Sequence, residues 1–266
     1  MKLQRVEAEG RISVKLGPRR SVLDRLHQSG AAKIRLPVPA DPSICEAVLI
    51  NTAGGLTGGD RMCWTIHGRA ATSLTCVSQA CERIYRSSDG EPAQLTVKIT
   101  LDEKSRLNWL PQETILFDGC ALERSLEADL APEASLLVVE AFIFGRAAMG
   151  EVIRQASVRD RWTIRRCGKL VFADSVRFDG KVDELLQRRA VAGGDRALAT
   201  VALISPEAER HLAFARESFP EIASSAFAGK FLARLSARGA YDLRQRLIPL
   251  VIRLSGGRDL PKVWAV

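Results

Sequence analysis

The sequence predicts a mainly β protein with two late helices, and three observations carry that prediction. Leu95–Leu101 (Leu-Thr-Val-Lys-Ile-Thr-Leu) alternates apolar and polar residues without a break, so one face of a strand is buried and the other wet. Leu136–Phe144 is nearly continuous apolar, as expected of a strand covered on both faces. Clusters of Gly, Pro, Asp and Ser at Ser88–Pro92, Asp118-Gly119 and Ala131–Glu133 cut the chain into short runs, which favours many strands over βαβ units.

In order, the remaining predicted strands are Ile12–Leu16, Glu46–Ile50, Met62–Ile66, Ser73–Val77, Ser105–Leu110, Ser125–Leu130 and Lys169–Phe178. Ser205-Pro206-Glu207 then offers an N-cap, a proline suited to the first helical position and an acid near the positive helix end. That helix is expected to run to about Ser218. A second, Tyr241–Leu254, sets Leu243, Leu247, Leu250, Val251 and Leu254 on one apolar face and ends at Gly256-Gly257. Pro249 inside it is expected to kink or shorten it. There is no repeat of fixed period, no low-complexity tract and no linker composition, so residues 1–266 read as one domain.

The apolar fraction of 46% and charged fraction of 26% are ordinary for a soluble globular protein. No apolar run reaches the roughly 20 residues a membrane span needs, and the start has no signal-peptide core. The expectation is a cytoplasmic protein. The formal charge of +8 suits acidic partners. It is scattered, however, with pairs at Arg19-Arg20, Arg165-Arg166 and Arg188-Arg189, which reads as a solvated basic surface more than a nucleic-acid site. The six cysteines (Cys45, Cys63, Cys76, Cys81, Cys120, Cys167) form no C-x-x-C pair, and His27, His67 and His211 lie far apart. Reduced, mostly buried thiols and no structural zinc are expected.

The densest motif is Asn51–Asp60, Asn-Thr-Ala-Gly-Gly-Leu-Thr-Gly-Gly-Asp. It is not a Walker loop, because Asp60 stands where that loop places lysine. It is not a dinucleotide fingerprint either, because the strand-like Met62–Ile66 follows where a helix should open. The paired glycines Gly54-Gly55 and Gly58-Gly59 instead suit a tight turn with positive φ and close backbone approach, bracketed by side chains that bond to freed backbone groups. A strained turn without a partner and a functional segment both remain open. Two further dense segments are Gln79–Ser87, with Arg83, Tyr85 and Ser87 on one side of a strand and Glu82, Ile84 and Arg86 on the other, and Pro111–Phe117, with Gln112 and Glu113.

Glu140 sits inside the most apolar strand and so requires a partner, for which Arg146 is nearest in sequence. Glu113 and Glu140 would suit acid–base work in a hydrolase or transferase. No histidine accompanies a Ser or Cys motif and no nucleophile elbow is present, so structural ion pairs are the stronger reading. A carboxylate-dependent hydrolase and a basic, β-rich nucleic-acid-binding protein stay as alternatives.

Several motifs in one order resemble the urease accessory protein UreD family, called UreH in some organisms. They are Asn51–Asp60, Gln79 through Tyr85-Arg86-Ser87, Trp109 with Pro111–Phe117, Glu140 followed by Gly145-Arg146 and Gly150-Glu151, and Leu260–Trp264. The chain departs from the pattern at Cys81-Glu82-Arg83, where a small residue and a lysine are expected, and at Lys262, where arginine is usual. The resemblance implies a β-helix-like stack of short strands with two α-helices in the C-terminal third. It implies a non-enzymatic scaffold that binds apo-urease and recruits UreF and, through UreF, the GTPase UreG for nickel insertion. The signature residues Asn51, Gly54, Gly55, Gly58, Gly59, Arg83, Tyr85, Arg86, Gln112 and Arg146 would then serve partner binding or structure. No cofactor would be held permanently. Nickel in transit needs weak oxygen contacts, which a tight His/Cys cage would not give. Asp60, Glu113 and Glu140 are therefore expected to line or support its path.

Overall fold

The computed structural model describes residues 4–39, 41–146, 149–257 and 259–265. The chain opens with β1 (Glu7–Leu16), β2 (Ser21–Ser29), β3 (Ala32–Arg35), β4 (Cys45–Asn51), β5 (Arg61–Gly68), β6 (Ser73–Ser78) and the short β7 (Glu82–Ile84). It continues through β8 (Ala93–Leu101), β9 (Arg106–Leu110), β10 (Thr114–Leu116), β11 (Ala121–Leu130), β12 (Ser135–Phe144), β13 (Ala156–Arg166) and β14 (Lys169–Gly180). The last third holds α1 (Val182–Gln187), β15 (Ala197–Ile204), α2 (His211–Ser218), β16 (Ala223–Phe227), β17 (Lys230–Ala237) and α3 (Ala240–Leu254).

From β4 to β13 the long strands step alternately between two sheets, and each pairs in parallel with its counterpart one coil away. One sheet has seven strands in the order β14-β13-β11-β8-β5-β1-β2. The other runs β16-β17-β15-β12-β9-β6-β4-β3, with β7 and β10 forming a short parallel ladder beside β12. The result is a solenoid of stacked coils, as the resemblance implies. Equivalent positions stack, for example Cys45, Leu74, Leu107 and Leu136. Their spacing changes from coil to coil, which is why no fixed period is visible in the sequence.

A parallel stack leaves open edges, and antiparallel hairpins close them here. The β1–β2 and β13–β14 pairs end the seven-stranded sheet, and β3 and the β15-β17-β16 meander end the other. Alternation along each strand fills the space between the sheets with one apolar core. A second core lies on the outer face of the longer sheet, where Leu243, Leu247, Leu250, Val251 and Leu254 of α3 cover Leu137, Val139, Val201 and Phe231. Leu136–Phe144 is accordingly buried on both sides, as its sequence predicts.

Among the described residues there are three α-helices where two were expected, because α1 was not anticipated. The Ser205 helix also begins later: α2 starts at His211 after a 3-10 turn at Ala208–Arg210. Ser205 lies just past the end of β15 and is buried, so its hydroxyl caps a turn and not the α-helix. Pro249 does not interrupt α3. It and Gln245, whose carbonyl loses its helical partner, both face water, so solvent can satisfy the freed group. Cys45, Cys76 and Cys120 are buried, Cys63 and Cys81 half-buried and Cys167 exposed, all as free thiols. No helix among the described residues is long and apolar enough to cross a membrane.

Candidate functional site

Asn51 ends β4 and Asp60 precedes β5, so the glycine segment is the connection between two sheets within one coil. Gly54, Gly55 and Gly59 have φ of 77°, 150° and 80°. Gly58 needs its missing side chain for space, since a Cβ there would stand 2.2 Å from Ser87 Oγ. The bracketing side chains bond as expected. Asn51 Oδ1 accepts from Ala53 N at 3.0 Å, and Asn51 Nδ2 donates to Gly55 O at 3.3 Å and to Glu82 Oε1 at 3.0 Å. Asp60 is 4% exposed, and its two oxygens accept from Thr57 N and Val6 N, both at 2.8 Å. Tyr85 reaches back to donate to Gly54 O at 3.2 Å. The segment is thereby fastened to β7 and the residues after it.

Inside the solenoid, one register column of the seven-stranded sheet reads Met62, Leu95, Arg124, Asp160. It is apolar in two coils and ionic in the next two. Arg124 donates from Nε and Nη2 to Asp160 Oδ1 and Oδ2 at 3.0 and 2.7 Å, and from Nη1 to Glu140 Oε2 at 2.5 Å and Thr114 Oγ1 at 3.1 Å. Trp109 Nε1 donates to Glu140 at 2.8 Å and Trp162 Nε1 to Asp160 at 3.2 Å. The guanidinium also lies 4.5 Å from the Phe142 ring centroid. Burial opposes the Arg124 charge, but Asp160 and Glu140 outweigh it and hold the group above its ordinary pKa. Burial pushes Glu140 up, Arg124 pulls it down and Asp160 pushes it up further. Two acids against one base leave this core with an excess of acidic groups.

The expected partnership of Glu140 with Arg146 is thus corrected. Arg146 Nε pairs with Glu151 at 2.8 Å on the surface, while Glu140 points between the sheets and meets Arg124. Neither Arg124 nor Asp160 was anticipated. Each is a charged residue in the inward phase of an otherwise apolar alternation, and that was the readable signal.

Glu140 also borders two cavities. One, of 280 Å³, reaches toward the glycine segment and includes Asn51, Gly54, Glu82, Arg83, Gln112 and Arg124. The other, of 420 Å³, extends past Asp160 to Asp174, Arg177 and Arg234. Burial pushes the Glu82 carboxyl up to about 7, against the lowering effect of the Asn51 amide. Burial and Glu113 push the Cys81 thiol up to about 11, so it stays protonated near neutral pH. Among the described residues no group of three or more His, Cys, Asp or Glu could hold a metal ion.

The other expected residues fall elsewhere. Glu113 lines neither cavity; it is 1% exposed and takes Arg244 Nε and Nη2 of α3 at 2.6 and 2.7 Å. Burial opposes its charge, yet the Arg244 hydrogen bonds hold it below the ordinary carboxylate range. Gln112 accepts from Arg244 at 2.9 Å and donates to Val263 O at 2.6 Å, so Gln112 and Glu113 anchor the helical layer and the C-terminal turn. Tyr85, Arg86 and Arg146 gather around a shallow surface depression with Phe117, Asp118 and Glu151. There Arg146 stacks 4.6 Å from the Phe117 centroid and Arg86 pairs with Asp118 at 2.6 Å. Asp60 lines neither interior cavity and closes the turn between these two groups.

Fold and site together define a parallel β-solenoid with an ionic core and a helix-covered flank. The family profile described as UreD urease accessory protein matches residues 6–265. A urease accessory protein UreD of Rhizobium leguminosarum bv. viciae is 45% identical over 263 residues, covering 98% of this chain and 96% of the relative. One from Mesorhizobium japonicum is 48% identical over 253 residues, covering 93% and 89%. Urease accessory protein UreD 1 of Brucella melitensis biotype 1 is 45% identical over 271 residues, covering 100% and 96%. The chain belongs to the UreD urease accessory protein family, and its role lies in urease maturation.

Proposed function

We propose that this chain is a non-enzymatic, cytoplasmic scaffold that binds apo-urease, recruits UreF and through it UreG, and passes nickel through its interior. The observation that supports the reading best is the position of Glu140 between two cavities that leave the ionic core in different directions. Glu82, Glu140, Asp160 and Asp174 supply carboxylate oxygens along that course. Such hard ligands suit brief contacts with a divalent ion, and the Arg124 charge beside Glu140 and Asp160 weakens any resident site. Asp60 and Glu113 would act as supports, the first by fixing the turn that holds Asn51 against Glu82, the second by holding α3 in place. No cofactor is retained in this reading; nickel is cargo.

The test is coexpression with UreF and apo-urease followed by purification through a tag on this chain. A complex that survives washing is expected, and absence of any complex under all salt conditions sinks the scaffold reading. The interior route is tested by Glu140→Ala, which should reduce the nickel content of urease in cells while the complex still assembles. Full nickel loading would remove Glu140 from the route.

A further inference from the structure

A separate cavity of 320 Å³ lies on the helix-covered side of the longer sheet. It is bounded by Arg106 and Ser135 at the starts of β9 and β12, Ser205 after β15, the beginning of α2 and the end of α3. Among the described residues three guanidinium groups line it, those of Arg106, Arg210 and Arg253, against one carboxylate, that of Glu207. Glu207 is taken by Arg210 at 2.5 Å. Among the described residues neither Arg106 nor Arg253 has a carboxylate partner. Arg253 has other support, from the Phe214 ring 4.8 Å away and from the negative end of α3. Arg106 has neither.

His211 also belongs to this site. His211 lines the cavity at the N-terminal end of α2, is 7% exposed, and its Nδ1 has no hydrogen-bond partner. Burial lowers its pKa, and Arg210, Arg253 and Arg106 lower it further against Glu207, so the ring is neutral near pH 7 and adds no charge. Among the described residues the lining therefore carries more positive than negative charge, on solvent-exposed guanidiniums that can turn toward an entering anion. Ser135 Oγ donates to Ser205 Oγ at 3.0 Å, which leaves the Ser205 hydroxyl hydrogen as a neutral donor at its edge.

We propose that this cavity binds a phosphate dianion, free or carried on a small organic group. The net positive lining matches an anion, and guanidinium N–H groups match the oxygens of a phosphate. The volume exceeds that of a bare oxyanion and falls within the range of small-molecule sites. This site is independent of the nickel route, since none of its lining residues borders either interior cavity.

The test is titration of the purified full chain with inorganic phosphate and with glycerol phosphate at constant ionic strength, followed by calorimetry and phosphorus NMR. Saturable one-site binding is expected, weakened at least tenfold in Arg106→Gln and in Arg210→Gln, whose exposed position makes misfolding no explanation. Arg188→Gln and Arg189→Gln, outside the cavity, should leave it unchanged. Tighter binding of glycerol phosphate assigns a carried phosphate, and equal binding a free one. No saturation with either probe, equal binding of citrate, or an equal loss in the Arg188 and Arg189 variants overturns the proposal.

Discussion

Two regions of this protein use the same pairing of arginine with carboxylate and place it in opposite surroundings. In the solenoid core, the Arg124 and Glu140 side chains are 2% and 4% exposed. At the surface depression, Arg146 and Glu151 are 48% and 15% exposed. The second pair gains little, because solvent and salt screen it at the half-exposed Arg146 end, and Glu151 keeps backbone N–H bonds of its own. In the core every charge depends on its neighbours, since dehydration of an unpaired ion is far more costly than the pair is stabilising. The surface pair is thus available for exchange with a partner, whereas the core group is committed to the fold unless all its members change together.

Arg124→Met should therefore have the largest effect, a loss of about 3–5 kcal/mol in urea unfolding, because it strands two buried carboxylates. Arg146→Met should leave the unfolding midpoint where it is, and any defect should appear in complex formation instead. Equal losses in the two variants would break the comparison. Replacing Arg124, Glu140 and Asp160 together by Met, Leu and Leu should restore stability, or raise it by about 1–4 kcal/mol. Nickel loading of urease should stay low in that variant. Restored stability with restored loading would assign the core charges to neither role.

Smaller effects separate Glu113 from Glu82. Arg244 holds the Glu113 carboxyl below its ordinary value of 4.5, so its contribution is present above that pH and is lost as pH falls through the native value. In Arg244→Met burial, the largest influence on this carboxyl, is opposed only by the backbone and Cys81 hydrogen bonds and the sign reverses: stability should fall by about 2 kcal/mol at pH 7 and recover toward pH 4. Glu82 behaves in the opposite way already, because burial lifts it from 4.5 to about 7. Its contribution is full below pH 4.5 and disappears as pH rises through 7. Glu82→Gln should thus be more stable than the parent by about 1–2 kcal/mol at pH 8 and indistinguishable at pH 4. A melt series across that range reads both.

Where one physical rule governed a strand, the sequence displayed it. Leu95–Leu101 alternates because one face is wet, and Leu136–Phe144 does not because helices cover its second face. β13 escaped notice because Asp160 interrupts the inward series Ala156, Val158, Trp162 and Ile164, so a regular alternation looked broken. β15 and β17 are alanine-rich and continuous, compatible with helix or strand until tertiary pairing decides. The glycine segment was legible in its local bonds, from Asn51 to Ala53 and Gly55 and from Thr57 to Asp60, while the long-range bonds of the same side chains to Glu82 and Val6 were not. The Glu140 partner was not: Arg124 reaches it across the core from the other sheet, and proximity in sequence pointed to Arg146. Glu113 was singled out, but its dependence on Arg244 of α3 lies at a separation of 131 residues.

The anchoring of Trp264 to the Leu110 carbonyl spans 154 residues. At ribosomal elongation rates of 5–20 residues per second, the interval between making strand β9 and making its cover is roughly 8–30 s. During that time the outer face of the longer sheet stands without α3 on a nascent chain. A newly made molecule thus passes through a stage with an exposed apolar sheet, and its yield in cells is set by how that stage is shielded as well as by the stability of the finished fold.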